Sequence, residues 1–429
     1  MLAIALPMTV SHVTEPLLGL VDATVIGRLG EAHLLGAVAL AAVIFDFLFW
    51  SFGSLRMATA GLTAQAVGAG DQHEINRTLA RALLVAASVG IVIVLLQWPI
   101  AAVSFWLSGA SDAVLGALST YFAIRIWSAP FTLANYVILG STLGRERTDL
   151  GLVLQVAINV ANIVLTIILV VGLGLGVAGA AIGTVLAEIV GVLLGFLVLR
   201  RLGSNPFAVS RAELFDRAAM LRTLAVNRDI MIRTMALALA FAIFTSQGAR
   251  TGDVTLAANA VLYNMFLIGG YFLDGFATAA ETLCGQSVGG RDERGFRRSV
   301  YLSVVWSIGF GLLASAAFLI TGGWFIDFVS TNADVRAHAR EYLVFAALTP
   351  LIGAAAFAFD GIYIGATWTR AMRDLMLCAF AAFSVTILLA QGLGNAGLWV
   401  AFLVFLGTRG IGQAALYPRL VRSTFGTKI

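Results

Sequence analysis

Charge is scarce in these 429 residues: 12% are Asp, Glu, Lys or Arg, 60% are hydrophobic, and mean hydropathy is +0.94. Ordinary soluble domains carry about 25% charged residues, so a water-soluble globule is excluded and the solvent of this chain is lipid. Cysteine is nearly absent. Cys284 and Cys378 both fall in apolar stretches and supply neither a disulfide framework nor closely spaced zinc ligands. The four histidines, His12, His33, His73 and His338, form no ligand pair at helical spacing, and no phosphate-cradling loop occurs. An intramembrane enzyme therefore lacks its chemistry here, and no cofactor is expected. A basic segment ahead of the first apolar stretch is also missing, and that stretch outruns the apolar core of a cleavable signal, so it reads as a retained span.

Apolar runs of about 20 residues, each long enough to cross a hydrocarbon layer of about 30 Å, follow one another from end to end. They fall near 2–27, 33–55, 79–107, 115–141, 150–172, 176–199, 231–249, 254–283, 299–325, 339–365, 371–392 and 396–418. The expected fold class is an all-α polytopic membrane protein of twelve helices. Arginines crowd alternate loops: Arg77 and Arg81, Arg145 and Arg147, the interval from Arg200 to Arg228, Arg291 to Arg298, Arg370 and Arg373, and Arg419 and Arg422. The opposite loops hold little beyond Arg28, Arg250, Arg336 and Arg340. Basic loops stay on the cytoplasmic side, so both termini are expected there. Nucleic acid as a partner is excluded, because these arginines sit in separate short loops rather than on one face with interleaved aromatics.

The longest polar interval divides the chain into an N-terminal six-helix lobe (1–200), a cytoplasmic linker (201–230) and a C-terminal six-helix lobe (231–429). One half repeats the other. Leu62-Thr63-Ala64-Gln65-Ala66-Val67-Gly68-Ala69-Gly70-Asp71 matches Leu283-Cys284-Gly285-Gln286-Ser287-Val288-Gly289-Gly290-Arg291-Asp292 at an offset of 221, and Pro130 matches Pro350 at 220. Two quasi-equivalent bundles that rock about a site between them make a transporter; a duplicated channel or scaffold is the plainer alternative. The 45 glycines, among them Gly174, Gly176 and Gly179, weigh against a rigid scaffold by letting helices approach and shift.

An ionisable group inside a span costs several kcal/mol unless it meets water or a partner, which singles out Glu15, Asp22, Asp46, Glu188, Asp274, Glu281 and Asp360, with Arg56, Arg125 and Arg233 as partners for structural pairs. Asp22 lies fifteen residues after Pro7 on one helix, about 22 Å along its axis. Pro7 removes a backbone hydrogen bond, so the helix can bend there, and burial of Asp22 by the bend would couple its protonation to the bend. In the second half Phe244 falls near the level of Asp22 and Asp229 near that of Pro7, so the halves are not functionally symmetric. Asn159, Asn162 and Thr166 share a helical face that can look into a cavity, with Thr184 on the next span; helix–helix adhesion is the alternative. Aromatic groups at Phe45, Phe47, Phe49, Trp50 and Phe52, and at Phe266, Tyr271, Phe272 and Phe276, can hold planar cations or simply pack.

The string Leu6-Pro7 through Leu18-Gly19-Leu20-Val21-Asp22, followed by Ile26-Gly27-Arg28-Leu29-Gly30, resembles the opening helix of multidrug and toxic compound extrusion (MATE) transporters. With Leu256-Ala257-Ala258-Asn259-Ala260 and Phe359-Asp360-Gly361-Ile362-Tyr363-Ile364-Gly365-Ala366-Thr367, the resemblance covers the whole chain and is closest to the DinF branch. It implies a V-shaped pair of six-helix lobes in a bacterial inner membrane, working as a monomer to export amphipathic, often cationic, compounds against a proton or sodium gradient. Asp22 and Pro7 match the proton-coupling aspartate and the bending proline; Asn162 and Thr184 match polar positions of the first-lobe cavity.

Departures matter. Thr166 stands where many relatives carry a second aspartate, and Leu18 where a tyrosine is expected, which puts a two-carboxylate sodium site in doubt. Asp360 is similar to a tenth-helix cation-binding aspartate of the NorM branch, but the accompanying seventh-helix glutamate is missing. Arg233 is the nearest charged residue, so an Arg233–acid pair is an equal alternative to a sodium ion at Asp360. Asp274 and Glu281 complete the second-lobe candidates. The expected function is proton-coupled drug export. A flippase for a lipid-linked precursor is the runner-up, and it would want clustered cavity arginines to hold a diphosphate.

Overall fold

The computed structural model describes residues 1–28 and 31–426, with residues 11–23 described by backbone alone. It is helical throughout. Helices α1 (Leu2–Gly27), α2 (Ala32–Trp50), α3 (Ser54–Gly68), α4 (Gln72–Leu95), α5 (Gln97–Ser108), α6 (Asp112–Arg125), α7 (Ala129–Gly144), α8 (Thr148–Thr166) and α9 (Gly176–Arg201) form the first half. A one-turn α10 (Arg211–Leu214) leads to α11 (Arg217–Arg250), α12 (Asp253–Gly289), α13 (Glu293–Val329), α14 (Ala333–Gly365), α15 (Thr369–Leu389) and α16 (Gly394–Phe425). Eleven segments after α1 are long and apolar enough to cross a membrane among the described residues, and α1, at 26 residues, makes the expected twelve. Two expected spans are subdivided: α4 ends at Leu95 with α5 beginning two residues later, and α2 breaks before α3 continues to Gly68.

Two compact units emerge, Val10–Leu224 in one and Met1–Thr9 with Ala225–Ile429 in the other. The boundary thus differs from a split at residues 200 and 231. The first nine residues pack with the second unit, Ile4 and Ala5 clustering with Phe276 and Ala279, and the interval 201–230 is already helical from Arg217.

The repeat is written into close contacts at an offset of 221. A Cβ on Gly140 would run into the Arg56 carbonyl, and one on Gly361 into the Ala277 carbonyl; Gly144 and Gly365 meet the carbonyls of Ala60 and Glu281 in the same way. Each pair draws α7 onto α3 or α14 onto α12 at a distance that any side chain would forbid. Asp71 caps α4 by accepting from the Glu74 amide at 2.8 Å, and Asp292 caps α13 by accepting from Gly295 at 2.9 Å. The turns before those caps place Gly70 at φ +68° and Arg291 at φ +55°.

The proline pair diverges. Pro130 opens α7 after a 3₁₀ turn over Ile126–Ser128. Pro350 lies inside α14, where the Ala346 carbonyl that loses its backbone donor accepts from the Thr349 hydroxyl at 2.7 Å.

Candidate functional site

In the first unit, polar groups gather where α8 meets α9. Gly183 has no Cβ, so α9 lies against Thr166 on α8; a Cβ there would meet the Thr166 hydroxyl at 3.0 Å. One turn away the Asn162 amide donates to the Thr184 hydroxyl at 3.0 Å, and that hydroxyl donates to the Ala180 carbonyl at 3.1 Å. Asn162 and Thr166 are 1% and 0% exposed, yet Asn162 Oδ1 and Thr166 Oγ1 have no hydrogen-bond partner. Buried polar atoms left unpaired cost about 1–3 kcal/mol each. Immediately beyond Thr166 the helix widens into a π turn over Ile167–Gly172, a feature that concentrates at functional sites. Asn159, on the same face, is buried and accepts from Gln155 at 3.2 Å. Pro7 lies within α1, whereas the side chains of Asp22 and Glu15 fall outside the described residues.

Further along α9, Glu188 is held from α7: Asn135 donates to its carboxylate at 2.6 Å and to its backbone carbonyl at 3.0 Å. Arg125 on α6 lies under Tyr121, which accepts at 2.9 Å, and 4.8 Å from the Phe45 ring. Phe45 and Phe49 are buried while Phe47 and Trp50 are exposed, so part of the α2 aromatic group serves the protein's own cation.

The second unit treats its carboxylate differently. Asp360 on α14, 5% exposed, receives Arg233 of α11 and Arg409 of α16 on one oxygen, the latter at 2.6 Å, and the Gln413 amide on the other at 2.7 Å. Both arginines are buried, at 7% and 3% exposure, and Arg409 lies over Phe357 and Phe405. Of the two accounts of Asp360, the geometry is that of an arginine pair, with both oxygens taken by donors where a cation would need acceptors. Asp274 on α12 is half-buried and acts electrostatically on Arg409, and Glu281, about two turns further along the same face, is buried. At the level matched to Asp22, Phe244 packs against Trp399 and Phe402, and Asp229 pairs with Arg373 at 2.7 Å.

Sequence reasoning missed Arg409 and Gln413. Arg409 met the criterion that selected Arg233, a charge inside an expected span (396–418), and was passed over. Asn135 carried no signal, being 53 residues from the glutamate that it holds.

The MatE family model matches the chain twice, over residues 7–168 and 230–392, once per half. DNA damage-inducible protein F of Escherichia coli (strain K12) is 40% identical over 97% of this chain and 91% of its own length. The probable multidrug resistance protein NorM of Rhizobium meliloti (strain 1021) is 25% identical over 98% and 93%. Among solved structures, a MATE in the bent conformation superposes with a TM-score of 0.85 at 20% identity, covering 99% of this chain and 96% of the other. The fold and family are those of a multi-pass membrane transporter, not of an enzyme. The chain belongs to the MatE family.

Proposed function

We propose that this transporter exports amphipathic, cationic drugs or toxic metabolites across a bacterial inner membrane in exchange for protons, as a monomer with both termini cytoplasmic. Relatives named as multidrug resistance proteins, NorM and PmpM, support the substrate class. Coupling belongs to the first lobe, where Asp22 exchanges the proton and Pro7 lets α1 bend, while Asn159, Asn162, Thr166 and Thr184 line the substrate path.

The observation that carries this assignment is the clamp on Asp360. A carboxylate that holds two buried arginines cannot take up a proton without leaving both uncompensated, a cost of several kcal/mol. That disfavours Asp360 as the exchanging group and as a sodium site. It also weighs against the flippase reading, because the two arginines that do converge are buried and already bonded to a carboxylate rather than open to a diphosphate.

Asp22→Asn tests the assignment: it keeps size and hydrogen bonding but cannot exchange a proton. Vesicles carrying it should retain substrate binding and lose efflux driven by a pH gradient. Wild-type efflux in that variant would reduce Asp22 to a structural acid.

A further inference from the structure

We propose that Glu188 is a second proton-exchanging carboxylate of the first lobe, standing at the inner end of the polar seam made by Thr166, Asn162 and Thr184. The proposal rests on the reading of first-lobe proton coupling and deepens it.

Depth orders these groups. Measured at about 1.5 Å per residue from the arginine-poor end of each helix, Asp22 lies about 8 Å in, Thr166 about 9 Å, Thr184 about 12 Å, Asn162 about 15 Å and Glu188 about 18 Å. The ladder descends from the level of Asp22 to the middle of α9, which has 26 residues. Its rungs are close: Thr184 and Glu188 are one turn apart on the same face, Thr184 and Asn162 are bonded at 3.0 Å, and Asn162 and Thr166 are one turn apart again. The unpaired Asn162 Oδ1 and Thr166 Oγ1 give water two places to bind between the ends.

Glu188 has the surroundings that a proton acceptor needs and that Asp360 lacks. The group that bonds its carboxylate is neutral, the Asn135 amide of α7, and the polar side chain that acts on it beside that amide is the neutral Thr132 hydroxyl. Among the described residues no Arg, Lys or His pairs with it; the charged group that acts on it is Arg125 of α6, which is tied to Tyr121 and Phe45, with Asp46 of α2 acting in turn on Arg125. α8 brings Asn162 and Thr166 to the seam and no ionisable side chain. Glu188 is also half-buried, where Asp360 is buried. Space for Asn135 is provided by Gly191, where a Cβ would meet the amide nitrogen at 2.8 Å. The step is proton transfer alone: the carboxylate gains a proton passed down the seam through water and hydroxyls, and later releases it to water toward the arginine-rich side, with no other bond made or broken.

Glu188→Gln in the full-length protein, reconstituted in proteoliposomes, tests this with ethidium as the probe. Efflux driven by a pH gradient should fall about ten- to a hundredfold, the range of a lost coupling. Ethidium binding, read by tryptophan fluorescence, should persist but lose part of its pH dependence, and Glu188→Asp should restore drive. Wild-type efflux with an unchanged pH profile in Glu188→Gln overturns the proposal, and if Asp22→Asn is then inactive the first-lobe reading still stands. Full drive in both variants sinks that reading as well. Should Glu188→Gln fail to fold, Asn135→Leu keeps the carboxylate and removes its donor; it should move the pH of half-maximal efflux, and an unmoved profile also overturns the proposal.

Discussion

Removing the carboxylate of Asp360 should damage the fold rather than the coupling. Asp360→Ala leaves Arg233 and Arg409 facing each other, both more than nine-tenths buried, with the Gln413 amide also deprived of its acceptor. Breaking a buried ion pair by deleting one partner costs about 3–5 kcal/mol, and two arginines share the loss here. The unit concerned holds about half the chain, for which each kcal/mol moves the unfolding midpoint by roughly 2–4 °C. A fall of about 6–20 °C is therefore expected for purified Asp360→Ala in detergent. The triple variant Arg233→Met, Asp360→Leu, Arg409→Met removes all three charges and should recover most of that loss, because well-packed apolar groups often replace buried ion networks at no cost. Midpoints can be read from the monodisperse fraction surviving a heating series. An unchanged midpoint in Asp360→Ala would refute the clamp, and a single variant that folds normally but loses proton drive would return the coupling role to Asp360.

Three further outcomes follow from local geometry. Gly361→Val should cost at least about 1–3 kcal/mol by overpacking, since its Cβ would strike the Ala277 carbonyl; Gly140→Val should behave alike, and expression with thermal melting checks both. Arg291 occupies left-handed backbone at about 1–2 kcal/mol, while a glycine gives back about 0.4–1 kcal/mol through the unfolded chain. Arg291→Gly should thus stabilise slightly and Gly70→Arg destabilise, as melting will show. In the linker, the Arg77 side chain beside Glu213, with Ser210 and His73, holds the Glu213 carboxyl well below the usual carboxylate range. A lowered folded value means that the contribution is complete above the ordinary value and fades as pH falls through the lowered one. Hydrogen-exchange protection of residues 204–214, corrected for intrinsic rates, should therefore hold from about pH 8 to about pH 5; loss within that window would contradict the contact.

Helix number and repeat were legible because lipid demands long apolar runs and duplication preserves turn chemistry: the cap aspartates Asp71 and Asp292 announce themselves in the sequence and perform the same bond in the structure. The end of α3 was not, since Ser54–Gly68 is only mildly apolar; its solvent is α7 rather than lipid, and Gly140 and Gly144 make that packing possible against Arg56 and Ala60, 84 residues earlier in the chain. The separation of α4 from α5 at Leu96 carries a signal in Pro99, which sits in the first turn of α5 and cannot donate to the Leu95 carbonyl, but the apolar run on either side masked it. At the polar centres, residue types were readable and partners were not. Asn162 and Thr184 could be named, but their mutual bond, the amide on Glu188 and the second arginine on Asp360 depend on helix pairing that periodicity does not specify.

The central claim is that protons, exchanged in the first lobe, drive export. Proteoliposomes preloaded with ethidium, given either an inward pH gradient without sodium or an inward sodium gradient at equal pH, test it most directly. The account predicts efflux under the pH gradient that persists when choline replaces all sodium and disappears in Asp22→Asn. Efflux that requires sodium, or that runs on the pH gradient as well in Asp22→Asn as in the wild type, would contradict it.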